Sequence, residues 1–576
     1  VSSLLRSALF AGALLEIKKR EPIVNKLIFS LCATVLLAAV PAKAQDTYDL
    51  VILNGRVMDP ETMLDDRLNV GIRDGRIAII TPSDISGDQT IDATDHVVTA
   101  GFIDTHFHAL DGLSLKMAAL DGVTTGMDLE VGAIKVDAWY AAKQDAWPLN
   151  YGTGISHEGV RMQVHDPEIE LPDWADTPLL VGKLRADGCA DGVCGWSDTR
   201  SDLDHLNQIL ALMDEAYKQG ALGFASTVGY MTGGVTTFEM YKAQELAARY
   251  GRLSAAHVRF HTNPVTPEAP LGTSEMLANA LALDAPLLVM HNNDYGWWEN
   301  EEKLQKARDE GYNVWSEYYP YTAGSTSISA EFFNPESFKG VLGLEYKDTM
   351  YDPIADKFLS EDEFLKTRAE DPSRIVVVFN KDRTKWLPYW LRMPHMTVAS
   401  DAIYSGKGVD SWDLPFSDYL GHPRTAGSRA KVLRLGREEG VPLMFTLAQL
   451  SYWAAKHLGD TGIVAMQERG RMQQGMVADI AIFNPATVTD NATYKLGEQG
   501  LPSSGIPYVI VNGQLVVNES EFQKVWAGQP IRFPVRETGQ FKPVTEQVWV
   551  QNFSISTITI DDSGARPAGV SAEAKQ

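Results

Sequence analysis

Cysteine is scarce in this chain, with three residues in 576. Cys32 lies in an apolar N-terminal stretch, which leaves Cys189 and Cys194 in the glycine-rich run 186–195. Two cysteines alone make a poor zinc site, so a metal would need other donors. In an oxidising compartment the pair is expected to close a local disulfide, with two free thiols as the alternative. Positive charge is also short. There are 51 Lys and Arg against 75 Asp and Glu, a net charge of -24. So acidic a surface disfavours nucleic acid and anionic membranes as partners. Beyond residue 44 there is no run of about 18 apolar residues, the length a membrane span requires. Internal repeats and low-complexity blocks are missing too. What remains is an ordinary globular composition, 44% hydrophobic and 22% charged.

Residues 1–44 read as a leader. Asn25-Lys26 gives a positive start, residues 27–40 are apolar, and Ala42-Lys43-Ala44 fits a cleavage site before Gln45. The chain opens with Val, and a start near Val24 is expected. The reading is an exported protein, bacterial and periplasmic, with no membrane contact after signal removal. Residues 48–100 read as β-structure, with turn signals at Asn54-Gly55 and Asp74-Gly75. The same style returns over 475–550, with Asn512-Gly513 between apolar runs. The two ends are expected to build one small β-sandwich around a central domain at 101–474. There strands and helices alternate: Leu203, Leu206, Leu210, Met213 and Tyr217 keep helical spacing, and Thr236 with Glu239 fits a capping box. Alternation of this length implies a parallel α/β domain, whose natural closed form is a (β/α)8 barrel. Residues 322–394 break the rhythm and read as an insertion over the active site. The tail 555–576 reads as disordered.

The chemistry is signalled by polar residues that end apolar strands. His106 and His108 follow a β-branched run from Val97, and alternation puts both on one face with Asp104, opposite Phe107. Two imidazoles so placed can grip one metal ion. Glu130, His257, His291 and Asp401 end later strands. Singly, each suits a structural hydrogen bond or a helix cap. Gathered at the C-terminal face of one barrel, where active sites sit, they point to a metal centre.

This order resembles the amidohydrolase superfamily and, more closely, the N-acyl-D-amino-acid deacylases (D-aminoacylases). The resemblance spans about residues 48–520. It is carried by Ala100-Gly101-Phe102-Ile103-Asp104-Thr105-His106-Phe107-His108, Asp121-Gly122-Val123-Thr124-Thr125, Gly220-Ala221-Leu222-Gly223-Phe224-Ala225-Ser226-Thr227 and Ala256-His257-Val258-Arg259. Further along are Tyr319-Pro320-Tyr321-Thr322-Ala323-Gly324-Ser325-Thr326, Ser400-Asp401, Gly421-His422-Pro423-Arg424 and Gly475-Met476-Val477-Ala478-Asp479-Ile480. The resemblance implies His106, His108, His257 and His291 as ligands of one or two zinc ions, with Asp401 a ligand or the proton shuttle. The family commonly places a cysteine ligand after the second strand. This chain has none there, and Glu130 is the candidate replacement, with Asp128 on the same face and a carboxylated Lys183 as other options. At His291-Asn292-Asn293 the chain also lacks a lysine that many relatives carry two residues after the histidine.

The implied activity is hydrolysis of an N-acyl-D-amino acid to a carboxylic acid and a free D-amino acid. Asp401 would accept a proton from water and pass it to the leaving nitrogen. The substrate's carboxylate needs a cation, preferably a bidentate one. Arg161, Arg259 and Arg424 are candidates, Tyr319 and Tyr321 offer hydroxyls, and His157 is a candidate pocket residue. An added arginine suits an acidic substrate such as N-acyl-D-glutamate. The competing readings are another activity of the superfamily (dipeptidase, cyclic-amide hydrolase or deaminase) and a non-catalytic secreted binding protein.

Overall fold

The computed structural model describes residues 47–171, 182–185, 187–189, 194–261 and 269–551. The expected leader and tail lie outside them. The centre of the molecule is a sheet of eight strands: β1 (Phe102–Asp104), β2 (Val123–Ala133), β3 (Asn150–Ser156), β4 (Gly223–Ser226), β5 (Leu253–Ala256), β6 (Leu287–Val289), β7 (Val314–Tyr318) and β8 (Met396–Val398). They lie side by side in chain order, and every pairing is parallel. The sheet curls into a nearly closed barrel, as the strand-helix alternation predicts.

The strand period of two sorts the core. Ile103, Met127, Leu129, Leu253, Ala255, Leu288, Met290 and Trp315 form one buried cluster inside the barrel. Their neighbours Phe102, Ala256, Leu287, Val289, Val314 and Tyr318 belong to a second cluster, shared with the surrounding helices. Burying each larger side chain contributes about 1.5–3 kcal/mol. The helix Leu203–Lys218 buries Leu206, Leu210, Met213 and Tyr217 on one face, and Asp202 caps its start by accepting from the His205 N–H. In the helix Thr237–Arg249, Thr236 accepts from the Glu239 N–H. The other half of the expected capping box is missing, because the Glu239 carboxylate turns instead to Arg161 and His157.

No backbone pairing joins β1 to β8 among the described residues. Arg429 spans this seam. Its Nη2 donates to the carbonyls of Ile103 and Val398 at 3.3 and 3.1 Å, and its Nη1 lies 2.9 Å from Asp104 Oδ2. Ser400 donates to the same carboxylate through its backbone N–H and its hydroxyl. Asp104, expected beside the two histidines, is thus part of the closure. Beyond the seam the chain pairs again, Phe107–His108 running parallel to Ala402–Ile403.

Both chain ends enter a second sheet. Val97–Ala100 runs parallel to Tyr48–Asp59 on one side and antiparallel to Ile480–Phe483 on the other. Tyr508–Val511 and Gln514–Asn518 extend it. Asp74-Gly75 and Asn512-Gly513 are hairpin turns with positive φ at all four residues. Asn54-Gly55 is not a hairpin turn. Tyr48–Asp59 is one continuous strand with a register shift there, and Gly55 suits it because a Cβ would strike Val98.

Between β7 and β8 the chain builds a separate four-stranded antiparallel sheet of Ala323–Ser327, Ile375–Phe379, Met350–Asp352 and Lys357–Phe358. It rests on its own core of Phe333, Phe338, Tyr346, Phe364 and Val376. Cys189 and Cys194 form a disulfide. Among the described residues no helix is long and apolar enough to cross a membrane.

Candidate metal centre

The strand-terminal polar residues meet at one end of the barrel. His257 follows β5 with the parity of Leu253 and Ala255, so alternation alone turns it inward. His291 has the opposite parity to Leu288 and Met290. It reaches the interior through a left-handed backbone, φ 29°, and Asp401 also has positive φ, 51°. Such conformations cost about 1–3 kcal/mol each in residues other than glycine and gather at functional sites.

Glu130 is the hub. Its Oε2 lies 3.0 Å from His106 Nε2 and 3.2 Å from His108 Nε2. Its Oε1 lies 2.8 Å from His291 Nε2 and 3.1 Å from His257 Nδ1. Asp401 Oδ1 stands 3.4 Å from His106 Nε2 and 3.8 Å from His108 Nε2. All are buried or nearly so. Two donor sets result, His106–His108–Glu130–Asp401 and Glu130–His257–His291. Within each set the donor atoms lie within 4.8 Å of one another.

The other ring nitrogens decide the tautomers. His106 Nδ1 is 2.7 Å from Glu317 Oε1, and His108 Nδ1 is 2.9 Å from Asp128 Oδ2. An ionised carboxylate only accepts, so each Nδ1 carries a hydrogen, and in the neutral ring it is Nε2 that offers a lone pair. Both Nε2 atoms face the oxygens of Glu130 and Asp401, an arrangement that calls for positive charge between them, as a proton or a metal ion. Electrostatics agree. Burial opposes a proton on His106, yet Glu130, Asp401 and Glu317 outweigh it and raise its pKa well above the usual range. Burial is likewise outweighed at His108, whose pKa rises to about 9, chiefly through Asp128 and Glu130. Burial would raise the pKa of Glu130, but the histidines hold its carboxyl well below the usual range. Imidazole and carboxylate donors of this kind fit a divalent transition metal such as zinc.

The alternatives to Glu130 sit elsewhere. Asp128 stands behind His108, and its Oδ1 accepts backbone N–H groups of Val131 and Gly132 at 2.9 and 3.0 Å. Lys183 is 71% exposed and paired with Asp187. Of the expected substrate contacts, Arg424 and Tyr319 line the cavity over the cluster. Arg424 Nη1 is 2.8 Å from Asp401 Oδ2, and its guanidinium lies over the Tyr319 ring. The rest are engaged away from the cavity. Arg161 donates to Glu239, Trp196 and Thr199. Arg259 donates to Glu275 and Val235. His157 is held between Ser226 and Glu239. Tyr321 donates to the Pro423 carbonyl. Asn293, at the position where the resemblance would put a lysine, ties its side chain to the Tyr319 backbone.

Several residues of the site went unread in the sequence. Glu317 also accepts from Thr105 Oγ1 at 2.5 Å, so one buried carboxylate braces the start of the His106 loop twice. It is the next-to-last residue of β7, two positions after the apolar pair Val314-Trp315, so the signal that marks the histidines is weaker here. His261 stacks on His291 with ring centroids 3.9 Å apart. Arg383 grips Asp294 with two bonds, 3.0 and 2.8 Å, and donates to the Tyr319 hydroxyl at 2.6 Å. No local pattern announces it.

A carboxylate set between imidazole pairs at the mouth of a parallel barrel is an arrangement able to hold one or two metal ions. No family model matches the chain. D-aminoacylase of Alcaligenes xylosoxydans xylosoxydans is 26% identical over 500 residues, covering 84% of this chain and 97% of its own length. N-acyl-D-glutamate deacylase of the same organism is 27% identical over 495 residues, covering 81% and 93%. Among solved structures, the N-acyl-D-glutamate deacylase of Bordetella bronchiseptica, complexed with zinc and a phosphonate inhibitor, matches with a TM-score of 0.66 and 22% identity over 85% of this chain and 100% of its own. A D-aminoacylase with a binuclear metal centre matches with a TM-score of 0.64 and 21% identity over 84% and 99%. The chain's homologues are thus D-aminoacylase and N-acyl-D-glutamate deacylase, and its structural neighbours are D-aminoacylases of the amidohydrolase superfamily.

Proposed function

We propose that this protein hydrolyses the amide bond of N-acyl-D-amino acids with one or two zinc ions at the Glu130 cluster. The observation that carries the reading is Glu130 itself, with one oxygen on His106 and His108, the other on His257 and His291, and Asp401 over the first pair. The homologues' names support the amide of a D-amino acid as the bond cleaved. The apolar N-terminal segment and the Cys189–Cys194 disulfide support export to the periplasm.

A metal bound there supplies a polarised carbonyl and an acidified water. The chain's own residues do the rest. Arg424 holds Asp401 Oδ2 and leaves Oδ1 toward the cluster, where it takes the water's proton and hands it to the leaving nitrogen. Arg424 lines the cavity beside Asp401, and its guanidinium is the group placed to receive the substrate's carboxylate. The Tyr319 hydroxyl accepts from Arg383, which leaves its own hydrogen free to donate to substrate.

The test is amine release by the zinc-loaded protein on paired D and L N-acyl-amino acids, with dipeptides and cyclic amides beside them. Turnover confined to the N-acyl-D members is expected. Asp401→Asn should lower kcat by about 10²–10⁴-fold while metal content is unchanged. Turnover of cyclic amides or dipeptides alone would replace the reading, and an active Asp401→Asn would remove Asp401 from the chemistry.

A further inference from the structure

The cavity over the cluster has two unlike sides. Arg424 and Asp401 follow β8. Tyr230 follows β4, and four strand positions in an eight-stranded barrel place it across the mouth from β8. The Tyr230 ring lies 4.6 Å from the His257 ring, and Phe332 stacks parallel to His257 at 6.4 Å and packs on Tyr230 at 5.2 Å. The Tyr230 hydroxyl donates to Thr326, which ties the far wall to the inserted sheet. From Phe332 the wall continues through Phe338, Leu342, Ile375 and Val378, all from the segment between β7 and β8. The arginines that reach this part are already engaged. Arg185 is held by both oxygens of Glu158, and Arg383 by both of Asp294. Lys381 stands exposed at the rim.

With the carboxylate on Arg424 and the scissile amide over Glu130, the substrate's acyl group runs on toward Tyr230 and Phe332. The cavity measures about 360 Å3. An apolar cavity of roughly 150 Å3 is enough to take up benzene, so an acetyl methyl would leave this wall bare. We propose that Tyr230, Phe332, Phe338, Leu342, Ile375 and Val378 form an acyl subsite, and that the substrate is an N-acyl amino acid whose acyl group is a long aliphatic or aromatic chain. The inference rests on the deacylase reading and names its substrate class. Hydrolysis adds hydroxyl to the acyl carbon and hydrogen to the nitrogen as the C–N bond breaks, releasing a free apolar carboxylic acid and the amino acid.

The experiment uses the zinc-loaded protein and two substrate series. One varies the acyl chain on D-leucine from acetyl to decanoyl. The other keeps acetyl and varies the side chain from D-alanine to D-tryptophan. A third arm measures by calorimetry the binding of the free acids, acetate to decanoate, which reads the subsite without turnover. Each methylene buried on the wall should raise kcat/KM about fourfold, mainly through KM, the equivalent of about 0.8 kcal/mol per methylene. The Kd of the free acids should fall in parallel, and Phe332→Ala should shrink the decanoyl-to-acetyl ratio more than Phe332→Leu does. Acetyl and decanoyl substrates cleaved alike, with acids of every length bound alike, would overturn the subsite and leave the deacylase standing. A gradient in the side-chain series alone would also overturn it. Acids that bind more tightly with length, without turnover of any N-acyl amino acid, would keep the subsite and sink the deacylase reading. Flat binding without turnover would sink both.

Discussion

Glu317 offers the sharpest test of how the cluster is built. It is fully buried, accepts from His106 Nδ1 at 2.7 Å and from Thr105 Oγ1 at 2.5 Å, and lies 3.5 Å from the His291 backbone N–H. It therefore touches one histidine from each donor set without pointing at the hub. Loss of an outer partner of this kind typically weakens metal affinity or activity about 10–100-fold, or about 1.4–2.7 kcal/mol. Glu317→Gln keeps the volume and one acceptor for His106 but removes the charge that favours the Nδ1 tautomer, so its effect belongs near the lower end. Glu317→Ala removes the acceptor and opens a hole beside Thr105, so it belongs at the upper end or beyond. The assay is titration of the apoprotein with chelator-buffered zinc, counting metal per chain and measuring kcat at saturation, with a thermal melt to verify folding. Wild-type zinc affinity and kcat in both variants would refute the idea that Glu317 orients the ligands.

Two further outcomes concern the frame. Arg429→Met leaves the wholly buried Asp104 carboxylate without its cation and should cost about 3–5 kcal/mol in denaturant unfolding; a loss under about 1 kcal/mol would mean that backbone contacts alone hold the barrel seam. At the opposite end, His395 Nδ1 lies 3.0 Å from His457 Nε2. Burial, helped by Arg308 and Lys456, lowers the His395 pKa to about 4, and burial with His395 lowers that of His457 well below its usual value. The fold thus holds neutral rings that the unfolded chain protonates near about 6.5. Their stabilisation is present above that pH and is lost as pH falls toward 4. Urea midpoints should drop between pH 7 and 5 and drop less in His395→Gln; an equal drop in both would clear this pair.

The barrel was legible because apolar runs and polar ends recur at strand and helix spacing. His106, His108, Glu130, His257, His291 and Asp401 were legible as strand terminators, and the fold brings them together. Which way a terminator points is another matter. Alternation turns His257 inward but would send His291 out, and only its backbone at φ 29° reverses that. Arginines near the motifs carried no direction either. Arg161 and Arg259 are captured by Glu239 and Glu275, both on helices. Glu239 fits a capping box by spacing, yet a buried arginine outcompetes the backbone for it. Apart from Tyr230, the cavity's apolar wall and Arg383 come from the segment between β7 and β8, whose packing against the residues after β4 and β5 is wholly non-local. Asn54-Gly55 has the composition of a hairpin turn, but no returning strand begins there, and the pair becomes a bulge.

The strand Val97–Ala100 sets a clock on synthesis. One of its two partners, Ile480–Phe483, emerges about 380 residues later, and Arg429 must appear before the barrel seam can shut. At about 5–20 residues per second, the opening strands wait roughly 20–80 seconds for their neighbours. During that time neither sheet is complete, and the edge of Val97–Ala100 is unpaired on one side. Factors that bind unfolded polypeptide have that interval in which to act, and truncations ending before residue 480 should be captured by them rather than accumulate as folded protein.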